Sequence, residues 1–468
     1  MLIYDAGSVR SHNCHLRASL AALCTVGALA SGARANPAGI VPGVADASAP
    51  IGPEDSATEM TVRVDYTYEQ EQSLVLREAV GDPSADPLAP LPTHHELAFK
   101  QFRHTVTPRV EVGIYHDLWV SAALPIIIQQ ARELRLDTGV DRTASTFLDG
   151  ILPAAGYDAR DPTTPPPGNL VFRGVNRHGL DQIHLGLGYA PMNQAKDDTK
   201  PTWKLGAELR LSFGKTMKFD PLAPTAETGV GYGVHELRLW TTFDRRLGWA
   251  EPWVEVFWQT PVATKSDSLF GNPGFGSTNV GKGQQAGALF GFEAYAVDNA
   301  VEHNRISLDL GTRVVAHFEG RDYSELWEPF VLAGDSRGTG PLILDSDPTT
   351  TGIQPLSHPG ITNVENYLET AAHFALRAQL GPHVRFAALT DLIWKTDHVI
   401  TFADAGVDLP TCGAAVTTGC ETANNDLVNP GTAEVNPLHS QRIDLVGHRY
   451  LSQDNFAFVI GIQGQVLF

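Results

Sequence analysis

The stretch NFAFVIGIQGQVLF, residues 455–468, alternates between apolar and polar side chains. One set of alternate positions holds Phe456, Phe458, Ile460, Ile462, Val466 and Phe468, and the other includes Asn455, Gln463 and Gln465. A period of two predicts a β-strand with one apolar and one polar face. A soluble protein would cover the apolar face with a second layer, so the rest of the chain has to supply either a core or more strands of this kind.

The composition favours more strands. The chain has 468 residues, enough for two or three soluble domains or for one large closed sheet. Glycine (44) and proline (31) are plentiful, and charged residues make up only 19%. After the N-terminal segment, no run reaches the ~18 consecutive apolar residues that a membrane-spanning helix needs. If the chain crosses a membrane, it therefore crosses with strands.

Segments with the same alternation recur over 59–468, separated in turn by short connections and by long polar loops. We predict an all-β fold, a transmembrane antiparallel up-and-down β-barrel of about 12 strands (12–14) with long extracellular loops. The predicted strands are about 60–71, 95–115, 118–129, 179–191, 201–215, 231–246, 251–263, 286–297, 304–318, 366–380, 383–400 and 449–468. The long loops begin near 130, 216, 264, 319 and 401, and we expect them on the outer side because periplasmic turns are short.

Two alternatives remain at this point. The even strand count requires HRYLSQDNFAFVIGIQGQVLF, 448–468, to be one long strand, because a hairpin turn at SQDN would make the count odd. A soluble β-sandwich would also alternate. Aromatic residues near the predicted turns favour the barrel, since they suit an interfacial girdle. They are Tyr115, Trp119, Tyr189, Trp203, Trp249 and Trp253.

The N-terminus predicts export. Arg10 and Arg17 precede the apolar run ASLAALCTVGALA, 18–30, and Ala33-Arg34-Ala35 is a small-x-small cleavage site. We predict a signal peptide over 1–35 and a flexible periplasmic linker over 36–58; the alternative is a buried helix. The predicted location is the outer membrane of a Gram-negative bacterium. The net charge of −19 argues against a nucleic-acid partner.

Cys412 and Cys420 lie close together in a polar loop, which predicts a local disulfide in an exported protein. A metal site is the alternative, although two thiolates without a histidine pair suit zinc poorly. The surrounding loop, about 401–448, is acidic, so it is either a solvated loop or one that divalent cations bridge to lipopolysaccharide. His94 and Glu96 could face the same way on a strand, a weak candidate for a metal pair. We predict no bound cofactor.

The chain also resembles known barrels. A terminal Phe468 on an alternating strand resembles the C-terminal signal that the Gram-negative barrel-assembly machinery recognises, which implies that this machinery and the outer-membrane lipids are partners. RVEVGIYHDLWVSAALPII, 109–127, resembles a hairpin common in uncharacterised outer-membrane barrels and in the loosely related phenol-degradation and hydrophobic-compound transport barrels. The hairpin LDQIHLGLGYA with WKLGAELRLSFG fits the same group. The resemblance implies the architecture and leaves the solute open.

Charged residues of both signs occupy the polar face of the predicted strands. We expect them to line the lumen: Arg63, Asp65, Arg109, Glu111, Lys204, Glu208, Arg210, Glu236, Arg238, Glu255, Glu293, Arg305, Asp309, Arg313, Glu369, Arg377, Arg385 and Asp391. They either fill a modest twelve-strand lumen with ion pairs or form a narrow polar conduit. The leading hypothesis is a passive channel or uptake barrel for small solutes. The alternatives are a non-conducting surface barrel whose loops bind a partner or lipopolysaccharide, and an outer-membrane enzyme, for which His184 and His373 are inward-facing candidates. We predict no enzymatic activity.

Overall fold

The computed structural model describes residues 60–79, 91–115, 117–194, 196–270, 281–299, 301–334, 340–345, 355–356, 358–402 and 440–468. The predicted signal peptide and linker, and the predicted disulfide between Cys412 and Cys420, lie outside these residues.

Strands make up most of the described residues. In chain order the strands are β1 (Met60–Glu78), β2 (Thr93–Tyr115), β3 (Leu118–Ala123), β4 (Ile126–Leu136), β5 (Tyr157–Asp158), β6 (Leu170–Arg173), β7 (Arg177–Leu180), β8 (Gln182–Met192), β9 (Thr202–Ser212), β10 (Val234–Asp244), β11 (Ala250–Thr264), β12 (Gln285–Asn299), β13 (Asn304–His317), β14 (Gly320–Asp322), β15 (Leu344–Asp345), β16 (Pro355–Leu356), β17 (Thr362–Val364), β18 (Tyr367–Leu380), β19 (Val384–Lys395), β20 (His398–Thr401) and β21 (Tyr450–Leu467). There is one α-helix among them, α1 (Trp327–Ala333), and a 3-10 helix covers Pro224–Ala226. Neither helix is long and apolar enough to cross a membrane.

Twelve antiparallel strand paths close into a ring, as the sequence predicts. The order around the ring is β1, β2, β3 with β4, β7 with β8, β9, β10, β11, β12, β13, β18, β19 with β20, and β21. The seam lies between β1 and β21, where Arg63 pairs with Gln465 and Tyr66 with Ile462. Closure leaves the wall without a free edge. This is the fold of an outer-membrane barrel.

Two irregularities in the wall differ from the expected strands. The third strand continues past the predicted end near 129 and runs to Leu136. It is interrupted at Leu124 and Pro125, because the proline has no N–H to donate to the ladder. In β21, Asp454 takes a left-handed φ of 50°, and the register against β1 shifts there. SQDN is therefore a bulge within one strand rather than a hairpin turn, and the even strand count is right.

Each ring strand has a buried face and an exposed face, as period-two alternation requires. In β9, Lys204, Glu208 and Arg210 are buried while Leu205 and Leu209 are exposed. The outward face carries a broad set of exposed apolar side chains, including Val64, Ile128, Leu187, Val256, Phe290 and Ile462. The buried face is polar and points to the barrel axis, so the wall is built to be surrounded by lipid.

Two of the six residues predicted for the aromatic girdle point inward instead. Trp119 and Trp253 are buried, whereas Tyr115 and Trp249 are exposed near the short turns. The Trp119 ring lies flat against β8, where a Cβ on Gly188 would stand 2.2 Å from a ring carbon. A glycine in the wall thus provides the space for an inward tryptophan.

The long connections fold together over one end of the ring. We call the described parts of the connections that follow β4, β9, β11, β13 and β20 the cap. Its apolar core contains α1 and closes onto the barrel mouth. The large side chains of this core include Phe147, Phe172, Phe219, Phe270, Trp327, Phe330, Phe402 and Tyr450. The strands β14, β17 and β20 join the cap to the wall, since β14 pairs with β17, β17 with β20, and β20 with β21.

Candidate functional site: the barrel interior and its cap

The structure places the predicted lumen residues on the inner face of the ring. All eighteen are buried except Arg109, Arg305 and Arg385, which are partly buried. Arg305 lies at the short-turn end of β13, where its Nε is 3.2 Å from Asp298 Oδ1 and both side chains are about a third exposed. Their role in passing a solute stays a prediction.

Ion pairs and hydrogen bonds join many of these residues. The pairs within one strand or between neighbouring strands are Arg63–Asp65 (3.1 Å), Arg109–Glu111 (2.6 Å), Glu208–Arg210 (2.7 Å), Arg238–Glu255 (2.7 Å), Asp309–Arg377 (2.8 Å) and Arg313–Glu369. Arg109 also reaches Glu208 on β9 across the interior, at 3.6 Å. Both charges are needed at such positions, because a buried charge without a partner is costly.

The candidate histidines also contact carboxylates. His373 Nδ1 lies 2.7 Å from Asp391 Oδ1, and His184 Nδ1 lies 3.4 Å from Glu208 Oε1. His94 and Glu96 do not converge on a metal site. Glu96 is buried and its Oε1 accepts hydrogen bonds from the backbone N–H groups of Thr146 and Phe147, so it anchors the cap. The described residues contain no group of three possible metal ligands.

Sequence reasoning missed a second part of the interior network. Lys395 on β19 contacts Glu71 on β1, Gln101 donates to Glu71 at 3.2 Å, and Arg132 Nε donates to Gln101 at 2.7 Å. The inward position of these residues could have been predicted, because Glu69 and Glu71 lie an even number of residues from Arg63 and therefore on the same face of β1. Arg103 likewise lies on the same face of β2 as Arg109. The lumen side of β1 and β2 is therefore more densely charged than predicted.

A strip of incompletely bonded polar atoms follows β1 and β2 along the interior. Each atom in the strip is buried and has no hydrogen-bond partner among the described residues. The atoms are Arg63 Nη2, Asp65 Oδ1, Thr107 Oγ1, Glu69 Oε1, Arg103 Nε and Ser73 Oγ. Their strand positions are in register, since Asp65 pairs with Thr107 and Glu69 with Arg103. We call these six residues the polar track.

The polar track runs nearly the full height of the wall. From Arg63 to Ser73 the strand advances roughly 33 Å, or about 25 Å along the axis at the usual strand tilt. Buried polar atoms normally find a partner, in the protein or in ordered water. The track is therefore a place where water or a polar solute would be bound.

Two small cavities lie in the barrel interior, one near the short turns and one beneath the cap. The cavity at the short-turn end has a volume of about 20 Å³ and is lined by Gln463 and Gln465, which pair with Asp65 and Arg63 across the seam. The cavity beneath the cap has a volume of about 40 Å³ and is lined by Glu71, Tyr323 and Lys395. Each has room for little more than a water molecule.

The interior is too tightly filled for a wide pore. Arg210, Glu236 and Glu293 expose 1–2% of their surface, whereas side chains lining an open aqueous pore would be wet. Above them, Arg177 is fully buried beneath the cap and bonds Glu328 of α1 at 2.6 Å through Nη2. The structure thus describes a closed barrel with a polar interior.

No protein-family model matches this chain, and no curated protein matches its sequence. Solved structures of barrels are similar in fold. An outer membrane channel from Pseudomonas putida F1 is 8% identical, with 89% of this chain and 100% of that chain covered and a TM-score of 0.38. A Pseudomonas aeruginosa FadL homologue is 8% identical over 88% and 90%, with a TM-score of 0.32. The outer membrane protease OmpT from Escherichia coli is 6% identical over 87% and 97%, with a TM-score of 0.26. These superpositions are loose and include a channel and a protease, so the function has to be inferred from the residues of this chain.

Proposed function

We propose that this protein is an outer-membrane channel for water and small polar solutes, with the structure describing its closed state. The polar track is the observation that carries the proposal. Its buried polar atoms have bonding capacity that the described protein groups do not use, and small cavities lie in the interior near the short turns and beneath the cap.

The charges around the track support a polar solute. Arg63, Asp65, Glu69 and Arg103 place two positive and two negative charges along β1 and β2 within the buried interior. Fixed charges of both signs behind low-dielectric walls create a strong local field, which orients a dipolar solute and repels an apolar one. The solute that fits this wall is small, hydrogen-bonding and uncharged or zwitterionic.

Single-channel recording in planar bilayers tests the proposal. We expect small and infrequent openings from the full-length chain. The double substitution Glu69→Leu and Arg103→Leu removes two charges of opposite sign from the track, so it leaves the net charge unchanged and should reduce the conductance of each opening. Trp327→Ala should loosen the cap and lengthen the openings, because Trp327 is fully buried in the cap core.

A matched double substitution on the opposite wall provides the control. Arg238 and Glu255 lie on β10 and β11 and bond each other at 2.7 Å. Replacing both with leucine removes the same two charge types, and we expect the conductance to be unchanged. Equal loss in both double variants would argue against the track, and the absence of openings in every variant would argue against a channel.

The second candidate is a non-conducting surface barrel whose cap binds a partner or lipopolysaccharide. The continuous apolar core of the cap favours it, since the loops of the described region form a folded layer over the mouth. If the Trp327→Ala variant still never conducts while the native chain binds lipopolysaccharide vesicles, this second function is the better one.

We further propose that the chain is exported with cleavage after Ala35 and assembled by the barrel-assembly machinery. The support is the three-part N-terminal pattern and the apolar strand that ends at Phe468. N-terminal sequencing of the outer-membrane fraction should find Asn36 first. Divalent cations as partners of the acidic loop stay a prediction, since 403–439 lies outside the described residues.

A further inference from the structure

The apolar part of the outward face ends near Phe102 on β2. The ring of Phe102 packs against His104 on the same face, with centroids 6.1 Å apart. Tyr115, at the short-turn end of the same strand, is exposed. From Phe102 to Tyr115 the strand covers roughly 30 Å along the barrel axis at the usual rise and tilt, enough to cross the apolar band and both aromatic girdles. Residues of this face between Phe102 and the cap therefore lie at the level of the outer lipid head groups.

Three basic side chains surround one carboxylate at this level. Lys100 on β2 pairs with Glu133 on β4, and Glu133 pairs with Arg173 on β6. Directly paired residues lie side by side on one face of the sheet. Glu133 Oε2 accepts a hydrogen bond from Arg135 Nη2 at 3.0 Å, and Glu133 Oε1 lies 3.9 Å from Arg173 Nε. We call Lys100, Arg135 and Arg173 the basic patch.

The carboxylates in contact with the basic patch do not balance its charge. Glu133 is shared between two guanidinium groups, and Arg173 Nη1 has a second partner in Asp158 Oδ2 at 2.9 Å. A fourth cation, Arg160, lies beside them, since its Nε donates to the carbonyl oxygen of Gly174 at 3.0 Å. Positive charge is therefore in local excess here, although the net charge of the chain is −19. Such an excess attracts an anion from the surroundings.

Lys100 and Arg135 are the accessible members of the basic patch. Lys100 is exposed, and the Arg135 side chain is 49% exposed, so the bond to Glu133 leaves most of its guanidinium accessible. A guanidinium presents parallel N–H groups that match two oxygens of one phosphate, and an ammonium adds a compact charge with three donors. The two groups together are therefore complementary to a phosphate.

The wall around β19 and β21 has the opposite charge at the same level. Trp394 and Phe456 form the outer girdle there, with ring centroids 5.8 Å apart. Between this girdle and the cap lie Asp397 and Glu365, which are both exposed. Acidic side chains repel a phosphate, so the positive charge at head-group level is a local feature of β2, β4 and β6.

We propose that the basic patch binds a phosphate group of lipopolysaccharide in the outer leaflet. The wall meets head groups at this height, and clustered lysine and arginine side chains at a membrane surface bind anionic head groups. The site lies on the outside of the wall, below the cap. It therefore requires the long connections to face outward, and it depends neither on conduction through the interior nor on binding by the cap.

Thermal unfolding of the full-length chain in a non-ionic detergent tests the site. Phosphorylated lipid A or dephosphorylated lipid A is added to the micelles in increasing amounts. A ligand that binds only the folded state raises the unfolding midpoint with the logarithm of its concentration. We expect this rise with phosphorylated lipid A and no comparable rise with the dephosphorylated form, because the two share their acyl chains. Inorganic phosphate distinguishes a lipid head group from a free anion, and we expect no rise with it.

Two double variants show where the lipid binds. Lys100→Gln with Arg135→Gln removes the accessible charges of the basic patch, and the rise should then need roughly tenfold more lipid A or more, because charge-assisted hydrogen bonds are strong. Lys215→Gln with Lys265→Gln is the control. These lysines lie at the same end of the barrel after β9 and β11, where Lys215 Nζ is 3.0 Å from Glu227 and Lys265 Nζ is 3.6 Å from Asp267. The control should keep the full rise.

The proposal is overturned if the two forms of lipid A raise the midpoint equally, if both double variants lose the rise to the same extent, or if neither loses it. A rise with inorganic phosphate equal to that with lipid A would overturn the assignment to a lipid. Should Lys100→Gln with Arg135→Gln fail to fold, Lys100→Gln alone takes its place, since this side chain is exposed. The single variant should weaken the response to phosphorylated lipid A, and an unchanged response would overturn the site.

Discussion

Arg177 and Glu328 form the most deeply buried ion pair between the wall and α1. Their side chains expose 1% and 2%, and three backbone carbonyls take up the remaining N–H groups of the arginine. Breaking a buried pair leaves a charge without its partner, whereas an exposed pair contributes little because water screens it. The burial of an ion pair therefore decides how much the pair contributes to the stability of the fold.

We expect Arg177→Met to lower the free energy of unfolding by about 3 to 5 kcal/mol. Lys196→Met is the control: Lys196 Nζ lies 3.0 Å from Asp117 Oδ2 in a partly exposed pair, and its loss should cost about 1 kcal/mol or less. Urea unfolding of the refolded chain in detergent, followed by tryptophan fluorescence, measures both. Equal losses in the two variants would contradict the assignment of Arg177 as a buried anchor.

His358 should make the cap sensitive to acid. Burial and Arg321 lower its pKa to about 3, so between pH 3 and about 6.5 the unfolded chain binds a proton that the folded chain does not. Stability due to this residue is fully present above pH 6.5, and it falls by up to about 1.4 kcal/mol per pH unit as the pH drops through this window.

The variant His358→Asn isolates this effect, because an asparagine oxygen can accept the Gly360 N–H, as His358 Nδ1 does, but does not titrate. The free-energy difference between the native chain and the variant should be constant above pH 6.5 and should shift against the native chain below it. Denaturant unfolding at a series of pH values measures this difference. A difference that stays constant down to pH 4 would show that His358 is protonated in the folded cap.

Much of the interior could be predicted from strand parity alone. Once Arg63 is assigned to the inner face, Asp65, Glu69 and Glu71 follow from the period of two. The burial of Arg321 and of His358 could not be predicted, because it depends on the pairing of β14 with β17 and on the hydrogen bond from the His358 N–H to the Gly334 carbonyl at the end of α1. Parity determines which face a residue occupies and says nothing about contacts between distant loops.

At the scale of elements, the inward aromatic residues depend on glycines in neighbouring strands. A Cβ on Gly188 would lie 2.2 Å from the Trp119 ring, and one on Gly206 would lie 2.5 Å from the Trp240 ring. Both tryptophans belong to one inner surface, with their ring centroids 6.3 Å apart. β8 and β9 therefore contribute space to the interior as well as hydrogen bonds to the ladder.

We expect Gly188→Ala to destabilise the barrel, because the new methyl group would displace a packed ring at a cost of about 1 to 3 kcal/mol. Gly464→Ala is the control, since the nearest atom to its new Cβ, in Phe386, is 3.9 Å away. The temperature at which the folded band is lost on a gel run without boiling measures both. A lower temperature for Gly464→Ala than for Gly188→Ala would rule out this account.

The strands were easier to predict than the cap. Alternation persists over whole ring strands, so their number and order could be predicted, and the errors lie at irregular points such as Pro125. Helix α1 has seven residues and is buried on nearly every side, so it shows neither a periodic pattern nor a polar face. Its sequence, WEPFVLA, could equally have belonged to a strand.

At the scale of the whole molecule, the seam joins the two ends of the ring. The backbone N–H of Phe468 donates to the Met60 carbonyl at 2.9 Å, while the Phe468 side chain is 65% exposed. The side chain thus adds little to the packing of the folded barrel. If it is a recognition signal, its effect should fall on assembly.

We expect deletion of Phe468 to reduce the amount of protein in the outer membrane severalfold while leaving the thermal stability of the assembled fraction nearly unchanged, because a terminal residue contributes little to a fold. Quantitative blotting of membrane fractions and heat-dependent gel mobility give the two readouts. Phe468→Tyr keeps an aromatic terminus and serves as the control. Normal outer-membrane levels after the deletion would disprove the assembly role.

The seam also has a consequence for folding kinetics. Most neighbouring strands follow one another closely in the chain, but β1 and β21 are separated by nearly its whole length. Closing so large a loop is entropically unfavourable and non-local contacts form slowly, so the last pairing is the slow step of ring formation. Until it forms, the sheet has two free edges that can pair with other chains. The period before closure is therefore when this chain is most prone to aggregation, however stable the finished ring is.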